Sequence, residues 1–176
     1  MRLAPRKRAV PLVDLVGRAA ARLPAGALRL DVIGDGPDRA RVAARVARLG
    51  LDDVVTLRGR LPRAELRAAY AEADVFLAPA ELEAFGIAAL EARTAGLAVV
   101  ARRGTGIEEF VADGTDGLLV TDDDAMADAV LRLAEDPALL AAMRTHNATV
   151  RPDQGWDRVL RAAQAEYDRA GVLAGA

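Results

Sequence analysis

Residues 79–100 read PAELEAFGIAALEARTAGLAVV, and the order of elements in the chain turns on this stretch. Two glutamates, Glu83 and Glu91, stand eight positions apart with a Phe-Gly step between them. After that step the pattern becomes helical. Ile87 and Leu90 share an expected apolar face, and Gly96 stops the run just ahead of a continuous apolar strand over 97–101. Upstream, 75–77 reads as another short strand. The local order is therefore strand, loop, helix, strand, with one carboxylate in the loop and one inside the helix.

A helix N-terminus presents unpaired N–H groups and a partial positive charge, which suits a phosphate. Gly86 lets the backbone approach a ligand closely at that point. A carboxylate in the preceding loop can accept hydrogen bonds from hydroxyls, and one further along the helix can grip a vicinal diol such as a ribose. A sugar, a phosphate and a ribose in one row describe a nucleotide sugar. An ordinary helix with solvated glutamates has the same spacing, so the residues alone leave both readings open.

Composition removes other classes. At 176 residues and 52% hydrophobic content, the chain can bury one core and reads as one domain over 1–176. Net charge is −2 and aromatic content 3%, so neither a basic stripe nor a stacking platform for nucleic acid is present. Cysteine and serine are absent and His146 is the single histidine, which excludes disulfides, thiolate metal sites and serine or cysteine triads. No apolar run reaches the length of a membrane span and no signal peptide is visible, so a cytoplasmic setting is the expectation. Arginine outnumbers the single Lys7 and alanine is abundant, a bias of GC-rich bacterial genomes.

Working outward from the central stretch, helices are expected over 11–23, 39–49 and 63–74, and strands over 28–33 and 54–57. Leu12, Leu15, Val16, Ala19 and Leu23 form the inner face of the first helix, and Val42, Val46 and Leu49 that of the second. Gly34-Asp35-Gly36-Pro37 makes a tight turn after the first of these strands. It lacks the third glycine of a dinucleotide fingerprint, so a nicotinamide or flavin cofactor is poorly supported. Beyond residue 101 a short helix over 107–111, a turn at 114–117 and a strand over 118–120 follow. Asp122-Asp123-Asp124 resembles a metal cluster, but Thr121 as N-cap with acids in a first helical turn is more economical. Helices are expected over 126–133 and 137–143, with His146 in a partly exposed structural role near the end of the second. A last helix over 156–170 lines up Trp156, Val159, Leu160, Ala163 and Tyr167. Strands alternating with helices imply an α/β domain with a mostly parallel, Rossmann-like sheet flanked by helices.

EAFGIAALEA, followed by GLAVVARRGTGIEEFVADGTDGLLV, resembles the donor-binding signature of the group 1, or family four, retaining glycosyltransferases. That pattern is Glu, any seven residues, Glu, then a Gly-x-Pro-Val-Val strand, a Gly-rich turn and Glu-x-Val-x-x-Gly-x-x-Gly-Leu-Leu-Val. The match runs over about forty residues. Ala98 stands for the usual proline, Ala80 for a common serine, and Gly104-Thr105-Gly106 for a more usual Gly-Gly. None of these departures removes a charged ligand group.

The resemblance implies one half of a GT-B fold, the C-terminal donor-binding domain, with its first strand largely missing from this chain. In the family a strand ends in Gly-Arg-Leu and a lysine follows the arginine by five positions, a spacing that Arg2 and Lys7 match. It implies that Arg2, Lys7 and the amides of Phe85, Gly86 and Ile87 hold the diphosphate. Glu83 would contact the donor sugar and Glu91 the ribose. Gly34 would lie at the donor site, and the backbone of Gly59, Arg60 and Leu61 would read the base. The reaction implied is retaining transfer from a nucleotide diphosphate sugar, without metal or other cofactor. An N-terminal acceptor-binding domain or subunit would be the partner, and the 156–170 helix packs either toward it or on its own domain. On this reading the chain alone is expected to be marginally stable and inactive. A non-catalytic nucleotide-sugar-binding module, a remnant or a subunit of a split transferase are the alternatives.

Overall fold

The computed structural model describes residues 2–154 and 156–174, the side chains of 156–158 and 172–174 apart. After a 3₁₀ turn, Pro5–Lys7, the elements in order are α1 (Ala9–Ala20), β1 (Leu30–Ile33), α2 (Arg39–Leu49), β2 (Val55–Gly59), α3 (Arg63–Glu72), β3 (Val75–Ala78) and α4 (Ile87–Thr94). Then come β4 (Ala98–Arg102), a second 3₁₀ turn (Gly106–Glu109), β5 (Gly117–Val120), α5 (Asp123–Glu135), α6 (Pro137–Thr149) and α7 (Trp156–Ala174). The alternation is the expected α/β one, and every ladder between named strands is parallel.

The sheet is divided. β1 pairs with β2 in one ladder, and β3, β4 and β5 form a second in that order. β1 and β3 are not hydrogen-bonded to each other. The chain's start runs beside the end of β1: Arg2 bridges Asp35 in parallel, and the Leu3 N–H donates to the Asp35 carbonyl at 2.8 Å.

β4 is the centre of the larger ladder, and all five of its residues are buried. Successive side chains of a strand point to opposite faces, so β4 serves two cores. Ala98 and Val100 pack with Leu12, Leu15 and Val16 of α1 and with Met126 and Leu133 of α5. Val99 and Ala101 pack with Ala89 of α4 and with Ile107, Phe110 and Val111. A third cluster joins Leu3, Ala9 and Val13 to Val32, Val42, Val46 and Val55 around the β1–β2 ladder.

α2 has the expected bounds, closed by Gly50 at φ 63°, but Leu49 is 41% exposed and contributes little to the core. α1 starts two residues earlier than its apolar pattern and ends three residues sooner. α5 is capped by Asp122, whose carboxylate accepts the Ala125 N–H at 2.8 Å; Thr121, the expected cap, instead donates its hydroxyl to Asp122. Along α7, Val159, Leu160 and Tyr167 are exposed, so this stripe does not pack on the chain's own core; the Trp156 side chain lies outside the described residues.

Candidate functional site

α4 begins at Gly86, whose φ of 87° is a left-handed conformation that side chains rarely adopt. A Cβ there would also lie 2.5 Å from Ile107 Cγ1. No side chain caps this helix and no acid sits in its first turn, which leaves its positive end open to an anion. The buried positions of α4 are Ala89, Ala92 and Arg93, at the spacing of one helix stripe. Ile87 falls off that stripe and is 67% exposed, so it stands at the mouth of the site and not on the apolar face expected for it. The Phe85 ring turns inward, with its centroid 5.5 Å from that of Phe110.

The loop ahead of α4 is held from behind by a residue whose part the sequence did not disclose. The Gly106 N–H donates to the Glu83 carbonyl at 2.8 Å, and a Cβ on Gly106 would meet the Ala84 carbonyl oxygen at 2.0 Å. The signal was present as the Gly-Thr-Gly at 104–106, legible only as a departure from Gly-Gly.

On the open side Lys7 Nζ forms an ion pair with Glu83 Oε2, both groups being partly buried. Arg8 pairs with Glu81 at 2.8 Å and with Asp123 at 2.6 Å. Arg102, buried, also pairs with Asp123 and donates to the Thr121 carbonyl at 2.6 Å. Glu81, Arg8, Arg102 and Asp123 were not nominated from sequence, because nothing in local spacing joins residues so far apart. The acidic triplet is thereby accounted for: Asp122 caps α5, Asp123 joins the two arginines and Asp124 pairs with Arg18 at 3.0 Å.

The nominated residues fall into two groups and an outlier. Arg2 and Arg60, both exposed, line a cavity of about 470 Å³ with Asp35, Gly36 and Pro37. Gly34 and Gly59 are tied together beside it, the Gly34 N–H donating to the Gly59 carbonyl at 2.7 Å, and Leu61 follows half-buried. Lys7, Glu83, Phe85, Gly86 and Ile87 make the second group, at the end of β3 and the start of α4. Residues 2–8 run from the first group to the second, since Leu3 is bonded to Asp35 and Lys7 to Glu83. Glu91 is exposed further along α4. Its neighbour is Tyr70, whose phenol is raised above its ordinary pKa, chiefly by burial and secondarily by the Glu91 charge. His146 lies away from this surface, 3.2 Å from the buried Asp116, which also accepts from Arg93 at 2.8 Å. A larger cavity, of about 720 Å³, lies between α7 and the 108–116 segment and contains none of the nominated residues.

Chemically, the second group offers a cation and an open helix N-terminus for a phosphate, with a carboxylate next to them for hydroxyls. Among the described residues no cluster of histidine and acids is arranged to hold a metal ion.

The family model of glycosyl transferases group 1 matches residues 2–150. The chain is 37% identical over 151 residues to a GDP-mannose-dependent alpha-(1-6)-phosphatidylinositol monomannoside mannosyltransferase of Mycolicibacterium smegmatis, covering 81% of this chain and 39% of the relative. It is 35% identical over 170 residues to a D-inositol 3-phosphate glycosyltransferase of Kribbella flavida, covering 89% and 40%. The chain thus spans about two-fifths of the length of these curated relatives. Among solved structures, Anabaena Alr3699/HepE in complex with UDP and glucose superposes with a TM-score of 0.79 at 25% identity, over 97% of this chain and 47% of that one.

Proposed function

The chain belongs to the group 1 glycosyltransferases, and from that premise we propose that it is the donor-binding half of a retaining transferase that uses a nucleotide diphosphate sugar. The observation that carries this reading is the Lys7–Glu83 pair beside the open N-terminus of α4. A sugar nucleotide presents its β-phosphate one bond from the sugar ring, so its binding site needs a cation and a hydroxyl acceptor side by side.

In this reading Lys7, Arg2 and the amides of Phe85, Gly86 and Ile87 bind the diphosphate, and Glu83 accepts hydrogen bonds from the donor sugar. Glu91 accepts from the ribose diol, and the backbone of Gly59, Arg60 and Leu61, next to Gly34, receives the base. Transfer breaks the bond from the anomeric carbon to the β-phosphate oxygen. That oxygen keeps the electron pair and leaves as nucleoside diphosphate. An acceptor hydroxyl bonds to the same face of the carbon and gives up its proton to the departing phosphate oxygen. Cations and aligned amides lower the barrier because negative charge grows on the departing phosphate. No metal is assigned a part in this scheme. Acceptor binding falls to the remaining part of such a transferase, and the exposed stripe of α7 would pack against it. The same binding chemistry would serve a subunit of a split transferase. A cytoplasmic setting, where nucleotide sugars are made, belongs to the same proposal.

The relatives' names include a GDP-mannose-dependent enzyme, and the HepE structure holds UDP. The test is therefore calorimetry with UDP, GDP, UDP-glucose and GDP-mannose on the wild type, Lys7→Ala and Glu83→Ala. Lys7→Ala should weaken nucleotide and nucleotide sugar alike, and Glu83→Ala chiefly the nucleotide sugar. A chain that binds none of the four, or two variants that bind like the wild type, would sink the proposal.

A further inference from the structure

Arg8 stands where the Pro5–Lys7 turn gives way to α1. Its φ of 56° makes it the sole non-glycine residue in the left-handed region among those described. A glycine would adopt that conformation without steric cost, and nothing in the start of a helix calls for arginine there. What the arginine adds is its fork. Nη1 lies 2.8 Å from Glu81 Oε1 and Nη2 lies 2.6 Å from Asp123 Oδ2. Arg102, at the end of β4, takes the other oxygen of Asp123 and stands 3.7 Å from Glu81. Asp123, the first residue of α5, is thus a fixed anchor between two guanidinium groups, and a planar fork on a carboxylate gives geometric definition as well as charge. Consecutive cations, Lys7 and Arg8, so reach alternate glutamates, Glu83 and Glu81, of the loop ahead of α4.

We propose that Arg8 is a positioning residue for donor binding: anchored on Asp123, it holds the Glu81 carboxylate and thereby fixes the 80–86 loop so that Glu83 and Lys7 face the sugar phosphate together. The proposal rests on the donor-site reading above and adds to it a residue that touches no substrate. The left-handed turn is part of the device, because it aims two neighbouring side chains at one loop. Strained backbone of this kind persists where the surroundings over-determine it.

The experiment uses Arg8→Gly, Arg8→Lys, Glu81→Gln and the Arg8→Gly/Glu81→Gln double variant of the full chain. Arg8→Gly keeps the turn, since glycine favours that conformation, and removes the fork alone. Two readouts are taken: hydrogen exchange of the 80–86 amides without ligand, and calorimetry with UDP and GDP against uridine and guanosine. Arg8→Gly and Glu81→Gln should each speed exchange at 80–86 and weaken the diphosphate bound by the wild type by roughly three- to tenfold. The bare nucleoside should bind as before. The double variant should be little worse than either single one, and Arg8→Lys should recover part of the loss. Wild-type exchange and affinity in both single variants would overturn the proposal. Equal losses for nucleoside and diphosphate would also overturn it, because they mark a general structural role. If the wild type binds no nucleotide, the donor reading has failed, and the exchange at 80–86 alone decides whether Arg8 holds the loop.

Discussion

Gly106→Ala is the sharpest perturbation available behind the 80–86 loop. The added Cβ would sit 2.0 Å from the Ala84 carbonyl oxygen, 2.5 Å from its carbon and 2.8 Å from Phe85 Cα. All three neighbours are backbone, so no side chain can swing aside. Carbon atoms of this kind essentially never approach within 3.0 Å, and the segments must therefore part by at least 1.0 Å. That displacement breaks the Gly106 N–H to Glu83 carbonyl bond and shifts the loop carrying Glu83 and the amides of Phe85 and Gly86. A 1 Å misplacement of a positioned group costs roughly a hundredfold in rate, and a loss of tenfold or more in nucleotide affinity is expected here. Global stability should fall as well, by about 1–3 kcal/mol, because Gly106 is half-buried between the buried Thr105 and Ile107. Calorimetry with UDP and GDP, paired with thermal melting, separates the two effects. Gly171→Ala, where a Cβ meets nothing within 4 Å, is the control. A Gly106→Ala chain that binds nucleotide as tightly as the wild type would refute the assignment of this loop to the donor site.

Asp116→Ala should destabilise the fold by about 3–5 kcal/mol in urea melts, because it leaves the buried Arg93 guanidinium without its carboxylate; His146→Gln, which removes only the partly exposed member, should cost far less. The Asp122 carboxyl is held below its ordinary pKa, first by the Ala125 N–H and then by the Thr121 hydroxyl. Its contribution is thus present above the ordinary aspartate value and lost as pH falls through the lower folded one, so Asp122→Asn should flatten the acid limb of a Tm-against-pH curve. Glu91→Gln should weaken a nucleoside diphosphate by about 1.5–3 kcal/mol and pyrophosphate hardly at all; equal losses in calorimetry would remove Glu91 from the ribose. The same substitution should lower the Tyr70 phenol pKa in ultraviolet titration while leaving it above the ordinary value, since burial is the larger cause.

Periodicity made most of the fold legible, and its failures have physical reasons. α2 has the predicted bounds because an apolar stripe and a C-terminal glycine mark the same end. β4 reads directly because a strand covered on both faces is apolar at every position but its last. α6 continues past the last apolar marker, Met143, to Thr149 because Asn147 is buried there. Its side-chain amide donates to the carbonyls of Leu97 and Asp116, at 2.8 and 2.7 Å. A pattern that counts apolar residues cannot register a buried amide. Thr121 and Asp122 are both good caps by type, and only geometry selects between them. At the site the individual residues were visible but not their partners. Lys7 meets Glu83 across 76 positions and Arg8 meets Asp123 across 115, separations that no motif spacing encodes.

The divided sheet gives α1 a part that its amphipathic pattern does not advertise. Leu12, Leu15 and Val16 belong to the core over β4 and β5, whereas Ala9 and Val13 belong to the core around β1 and β2. One helix therefore packs against both ladders, which share no hydrogen bond. Residues 5–8, immediately ahead of it, carry Lys7 and Arg8 to the 80–86 loop, and Leu3 ties the preceding residues to Asp35. A shift of one ladder against the other is felt by α1, which packs on both, and so reaches Lys7 and Arg8 at its leading end. Packed elements transmit such displacements because interiors are dense and have few voids to absorb them. The same helix that holds the two halves of the domain together thus also sets where the two cations stand against Glu81 and Glu83.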